Sequence, residues 1–203
     1  MNGRVTALGR RYARVATRAA VAYPRLWWLF RPLMRWNFDS LASRWDEIRG
    51  SEAALPVLAA LERLDETPRT VLDVGTGTGF VAGLAGERFP EAEVVGVDLS
   101  PRMIELARRS HPGVRFEVAD ASKLPFAERA FDLVLLLNMI PFADELARVT
   151  RAGGRLAIAF SHGPETPIWA PPETIRAQLG EAGFDDLEEL AAGTGTALLA
   201  RRR

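Results

Sequence analysis

The sequence predicts an α/β fold, a doubly wound and mostly parallel sheet behind a helical N-terminal segment. Three observations carry this prediction. Beyond Pro68, short Val- and Leu-rich runs at 70–74, 93–97, 114–118, 132–137 and 155–160 alternate with helical segments at about 80–88, 101–109, 143–150 and 172–182. Strands alternating with helices give a parallel sheet covered on both faces. The last two runs, 185–191 and 196–201, are joined through Gly193 and Gly195 with no helix between them, so they form a hairpin and the final strand is antiparallel. Before Pro68 the apolar spacing is helical.

Taken in order, Val5, Leu8, Tyr12, Val15, Ala19 and Ala22 recur at alternating spacings of three and four, with Arg4, Arg11 and Arg18 on a seven-residue period beside them. This is the pattern of an amphipathic helix, ended near Tyr23-Pro24. A second short helix is expected over 26–35, and Ser51-x-x-Ala-Leu-Pro opens a third carrying Val57, Leu58, Leu61 and Leu64. The expected organisation is a basic arm at 1–36, a helical lid at 37–67 and the sheet domain at 68–203.

Charge separates the arm from the rest. Residues 1–38 hold eight arginines and no acid, whereas 39–203 hold 18 basic and 26 acidic residues, so +8 faces −8 in a neutral chain. No apolar stretch follows Arg10-Arg11 that would make a signal peptide. Pro24, Arg25, Arg31 and Pro32 interrupt 21–34, and a bilayer span needs about 20 apolar residues. A cytoplasmic protein is expected. Arginines beside an apolar stripe, followed by Leu26-Trp-Trp-Leu-Phe30, suit either an interfacial helix at the membrane or packing on the domain or a second subunit. Nucleic acid is disfavoured, since the arginines keep to one helical face with no interleaved stacking platform. Monomer and homodimer both stay open.

The absence of cysteine excludes disulfides, thiolate metal sites and a cysteine nucleophile, and no metal site is expected. Thr70-Val-Leu-Asp-Val-Gly-Thr-Gly-Thr-Gly-Phe80 places Gly75, Gly77 and Gly79 between the first strand and a helix, where a ligand can approach the backbone closely. Phe80 stands where a dinucleotide fingerprint has its third glycine, which disfavours pyrophosphate binding. Asp73, Asp98 and Asp120 each close one of the first three strands. In a doubly wound sheet they share the carboxyl edge, where ligands bind, and are expected to face one crevice. A carboxylate ending the second strand suits a vicinal diol, and Asp120 could accept from an exocyclic amine. The competing reading is that each Asp caps the next turn.

With these residues the run from Val71 to about Ala200 resembles class I S-adenosylmethionine-dependent methyltransferases. The glycine turn, Asp98, Ala119-Asp120-Ala121 and Arg148-Val-Thr-Arg-Ala-Gly-Gly-Arg-Leu carry the likeness, and Phe38-Asp-Ser-Leu-Ala-Ser-Arg-Trp-Asp46 is similar to the N-terminal segment of the ubiquinone/menaquinone C-methyltransferase group. The resemblance implies a Rossmann-like seven-stranded sheet in the order 3-2-1-4-5-7-6 and S-adenosyl-L-methionine as cofactor. It also implies that Asp73, Gly75, Thr76, Gly77 and Gly79 border the methionine part, Asp98 holds the ribose, Leu99 and Met103 flank the adenine, and Asp120 with Ala121 reads its edge. Asn138 and Met139 would close the methyl-transfer end, and the segment around Trp45 would cover the site.

A sulfonium methyl needs alignment and dryness more than acid–base catalysis. Of the two histidines, His162 lies beyond the fifth strand on the carboxyl side and is the candidate base, whereas His111 sits at the opposite edge as a solvated turn residue. Phe38, Trp45, Met139, Ile140, Phe142 and Trp169 could line an acceptor pocket built from the N-terminal helices and the 161–172 loop. Such a set suits a small, apolar or aromatic acceptor. Glu165, Arg44 and Asp46 are further candidates for acceptor contacts. Without cysteine, thiolate-mediated pyrimidine methylation is excluded, and Asn138-Met-Ile-Pro departs from the pattern of amine-directed DNA and glutamine methyltransferases. The alternatives are a catalytically silent S-adenosylmethionine-binding protein and a nicotinamide-dependent oxidoreductase. The latter fails on the Phe80 spacing and the want of a Tyr-x-x-x-Lys pair, Lys123 being the single lysine.

Overall fold

The structure, a computed structural model, describes residues 7–49 and 51–203, with side chains at 11–47 and 52–203. Val5 and the side chain of Leu8 therefore lie outside the described set. Seven strands form one sheet: β1 (Thr70–Val74), β2 (Glu93–Asp98), β3 (Arg115–Val118), β4 (Phe131–Leu137), β5 (Thr150–Phe160), β6 (Phe184–Ala192) and β7 (Gly195–Arg202). Their order is β3-β2-β1-β4-β5-β7-β6, as expected. β1 is parallel to β2 and β4, and β7 runs antiparallel to both β5 and β6.

Alternation along the central strands builds two cores. Leu72, Val74, Val95, Val97, Val134, Leu136, Leu156 and Ile158 face one side, where α1 (Ala7–Ala22), α2 (Trp27–Leu41), α7 (Ala143–Val149) and α8 (Pro172–Glu181) cover them. Val71, Val94, Leu133, Leu135, Ala157 and Ala159 face the other, under α4 (Leu55–Leu61), α5 (Phe80–Arg88) and α6 (Pro101–Ser110). A period of two with both faces apolar is what a sheet covered on both sides requires. The short α3 (Trp45–Arg49) lies between α2 and α4.

Two N-terminal expectations are corrected. The expected apolar stripe of α1 is not its buried face: Val15 is 61% exposed and Ala22 is exposed, while Ala13, Ala16, Thr17, Ala20 and Val21 are buried. Small side chains let the helix axis approach its neighbour, so the alanine face wins over the valine. The second helix is not confined to 26–35. A 3-10 turn at Pro24–Leu26 starts it, and α2 then runs through Pro32 to Leu41. Thus one helix crosses residue 36. Among the described residues no helix is long and apolar enough to cross a membrane.

Candidate functional site

At the end of β1 the chain turns through Gly75, Gly77 and Gly79 with φ of 75°, 55° and 89°, backbone angles that other residues adopt at a cost. Gly79 is the N-cap of α5 and has no side chain to satisfy the helix's first amides. Asp73 does so from the strand: its Oδ2 accepts from Ala82 N at 3.0 Å and from Thr76 Oγ1 at 2.6 Å. Burial pushes the Asp73 carboxyl up to about 7 against these two donors, and neighbouring Asp98 adds to the rise.

Asp98 closes β2 and is the one strand-end carboxylate of the three that lines a cavity of about 260 Å³ over the carboxyl edge of the sheet. Its Oδ2 accepts from Gly77 N at 2.9 Å and its Oδ1 from Ser100 N at 2.8 Å. Burial lifts its carboxyl to about 6, the amides of Ser100 and Gly77 work against this, and Asp39 reinforces it. The Leu99 amide also bonds this carboxylate, and with about four acceptor positions on its two oxygens it keeps acceptor capacity toward the cavity.

Asp120 is turned elsewhere. Ser122 N and Oγ donate to its Oδ1 at 2.9 and 2.8 Å, Trp27 Nε1 donates to the same oxygen at 2.9 Å, and Arg31 holds Oδ2 at 3.0 Å. Burial raises its pKa, but the donors of Ser122, Arg31 and Trp27 outweigh burial and hold it below the usual carboxylate value. The expectation that three acids face one crevice is thereby corrected. Asp73 caps α5 from beneath the turn, Asp120 anchors the arm, and Asp98 faces the cavity.

The N-terminal helices close the cavity and fasten to the loops after β1, β2 and β3. Thr78 Oγ1 donates to Asp46 at 2.6 Å, Ser100 Oγ bonds Asp39, and Trp27 and Arg31 hold Asp120. Trp45 lies on the glycine turn: a Cβ on Gly77 would come within 3.1 Å of its Nε1. Phe38 packs edge-on to Trp45 with ring centroids 5.4 Å apart.

On the far wall Asn138 ends β4 in the left-handed region, φ 53°. It accepts from Ser161 N at 2.9 Å and donates to Ser161 Oγ at 2.9 Å, tying the ends of β4 and β5 together. Met139 follows and covers Gly75, where a Cβ would meet its Sδ at 2.8 Å. His162 also lines the cavity. Its Nδ1 is 3.0 Å from Thr194 Oγ1, which donates to Ser161 O at 3.2 Å. A hydroxyl has one proton, so in the neutral imidazole this network favours the tautomer with the proton on Nδ1, which has Nε2 as its acceptor.

Of the sequence candidates, Gly75, Thr76, Gly77, Asp98, Leu99, Met103, Ala121, Asn138, Met139, Phe38, Trp45, Ile140, His162 and Glu165 line the cavity. Gly79 instead faces His111, Phe116 and Ala107 behind the turn. Phe142 packs in the core against Trp27, and Trp169 joins the same core half-buried. His111 is more than a solvated turn residue, because its ring packs against Gly79 and Gly83. Arg44 pairs with Glu47 at 3.5 Å, and Asp46 bonds Thr78. Sequence reasoning missed Trp27, Met34, Asn37, Leu41 and Thr78 as lining residues. The pattern Trp27, Met34, Leu41 at seven-residue spacing marks a single helix face and could have revealed three of them.

This sheet order, with a ligand-sized cavity over the first glycine turn and an acid at the end of β2, is the arrangement that the resemblance to class I S-adenosylmethionine-dependent methyltransferases implies. Residues 71–154 match the family described as Methyltransferase domain. Over 137 residues the chain is 39% identical to a demethylmenaquinone methyltransferase of Deinococcus radiodurans, covering 60% of this chain and 57% of that relative. Over 148 residues it is 36% identical to a malonyl-[acyl-carrier protein] O-methyltransferase of Halorhodospira halophila, covering 67% and 50%. The chain thus spans 57% and 50% of the lengths of these curated relatives. Among solved structures, a complex of the Haloferax volcanii Trm112 methyltransferase activator with a methyltransferase aligns with TM-score 0.69 at 20% identity, over 81% of this chain and 96% of that one.

Proposed function

We propose that this protein transfers a methyl group from S-adenosyl-L-methionine to a small, apolar or aromatic acceptor. The observation that carries the reading is Asp98, a carboxylate with spare acceptor capacity facing the cavity beside a glycine turn whose backbone a ligand can approach closely. The donor set fits the cofactor. Asp98 would accept both ribose hydroxyls, Leu99, Met103 and Ala121 would flank the adenine, and Gly75 and Gly77 would border the methionine part, where any Cβ would displace Met139 or Trp45. Asp73 serves this site indirectly by fixing the turn.

The bound cofactor supplies a methyl activated on a sulfonium, so the protein has to align the acceptor and keep water out. Trp45, Phe38, Met139 and Ile140 would form the apolar walls beside the transfer end. His162, with Nε2 free to accept, would remove the proton of a hydroxyl or an acidic ring carbon. The likeness to a demethylmenaquinone methyltransferase agrees with an aromatic ring acceptor, and the apolar lid face argues for it over a thioester-bound carboxylate.

The test is transfer of labelled methyl from S-adenosyl-L-methionine to a naphthoquinol and, separately, to a malonyl thioester. Transfer to the ring acceptor is expected, with a loss of about 100-fold or more in His162→Gln. Calorimetric binding of S-adenosylhomocysteine accompanies it. A protein that binds no adenosyl ligand, or that methylates only the thioester, overturns the reading.

A further inference from the structure

The lid has an outer face that the methyltransferase reading leaves unused. Among the described residues, nine large apolar side chains stand exposed, and six of them fall between 23 and 36. Tyr23, Trp28 and Trp36 are each 66% exposed, Leu29 52%, Leu33 47% and Leu26 39%. Positions 29, 33 and 36 repeat at four and three residues as one strip of α2, which Leu26 of the 3-10 turn extends and Trp28 flanks. The opposite strip, Trp27, Met34 and Leu41, lines the cavity, so α2 is apolar both toward the site and toward solvent.

We propose that the Pro24–Leu26 turn and the outer face of α2 dock this protein on an anionic lipid bilayer. Charge selects that occupant. Arg25, and Arg11, Arg14 and Arg18 on α1, are exposed, and α1 packs on α2 through Tyr12 and Phe30. No carboxylate occurs before Asp39 among the eight arginines of this segment. Arg31 and Arg35 turn toward Asp120 and Asp39 on the domain side and Arg14 reaches Glu165 O at 3.5 Å, while Arg11, Arg18 and Arg25 are left to the solvent side. A second copy on the same face would bring two such cationic segments together. An anionic surface neutralises them and takes the indole and leucine side chains at the headgroup level, where tryptophan is favoured. Docking needs neither cofactor nor acceptor, so it stands or falls independently of the proposed activity.

The experiment is co-sedimentation of the full chain with phosphatidylcholine vesicles, with and without phosphatidylglycerol, in the absence of cofactor. Binding only to the anionic vesicles is expected, with a loss of roughly tenfold or more in Trp28→Ser/Trp36→Ser and about fivefold for Arg25→Gln. Both variants alter exposed side chains, and an unchanged thermal melt certifies their fold. If the serine pair does not fold, Arg25→Gln and the fall in binding with added salt carry the test. Three results overturn the proposal: no binding to anionic vesicles, equal binding by the folded serine pair, or a concentration-dependent dimer that the same substitutions abolish.

Discussion

A proton on Asp98 should compete with an adenosyl ligand. The buried carboxyl titrates at about 6, and only its ionised form offers acceptors to two ribose hydroxyls without also presenting a proton. If the ligand binds the ionised form alone, the apparent dissociation constant is multiplied by one plus the ratio of protonated to ionised carboxyl. That factor is about 11 at about pH 5 and close to one at about pH 8, a penalty of roughly 1.4 kcal/mol. The probe of choice is 5′-methylthioadenosine, which keeps the ribose diol but carries no amino acid group to titrate. Calorimetry should show tightening of about tenfold between these two pH values and, near about pH 6, release of a fraction of a proton on binding. Asp98→Asn should bind more weakly and lose the pH dependence. An affinity that is flat across this range in the native chain, or a slope that survives in Asp98→Asn, refutes the assignment of Asp98 to the diol.

The same two buried acids make a stability prediction without ligand. Asp73 and Asp98 have folded values of about 7 and about 6, above their ordinary 3.8, so the folded chain binds more protons than the unfolded one between these limits. Their contribution is fully present below about pH 4 and is lost as pH rises through about 6 and 7. The Asp73→Asn/Asp98→Asn variant should therefore show a flatter melting-temperature profile over that interval than the native chain. Gly77→Ala places a Cβ 3.1 Å from Trp45 Nε1 at φ 55°, and should cost about 1–2 kcal/mol in denaturant unfolding. Gly86→Ala, whose Cβ would meet nothing nearer than 3.7 Å in the last turn of α5, should instead stabilise by about 0.5–1 kcal/mol.

The sheet was legible because its signals are local: alternation, strand-end acids and a glycine turn before a helix. The site was legible only in part, and Asp98 and Asp120 show why. Asp98-Leu-Ser100 and Asp120-Ala-Ser122 are the same local pattern, and in both the acid accepts from the serine amide two residues on. What separates them arrives from far along the chain. Arg31 and Trp27, 89 and 93 residues away, claim Asp120, while the amide of Gly77 reaches Asp98 and leaves the cavity side open. The face of α1 was misread for a similar reason. Apolar spacing ranks Val15 above alanine, but packing of the helix against the domain depends on how closely the backbones approach, and Ala13, Ala16 and Ala20 permit the closer fit.

That division of labour among the acids also separates two effects that a pH experiment would otherwise merge. The arm is held by Asp120, whose carboxyl is kept below the ordinary value by Ser122, Arg31 and Trp27 despite burial, so at about pH 5 this fastening stays ionised. Asp98 is largely protonated under the same condition. Acidification should therefore weaken the proposed ribose subsite while Trp27 and Arg31 remain bonded across the third strand's loop. A drop in adenosyl affinity with unchanged protection of α2 amides from hydrogen exchange belongs to Asp98. A drop accompanied by exchange in α2 would mean that the arm detaches first, and the strand-end acid would then be reporting closure of the cavity rather than contact with the ligand.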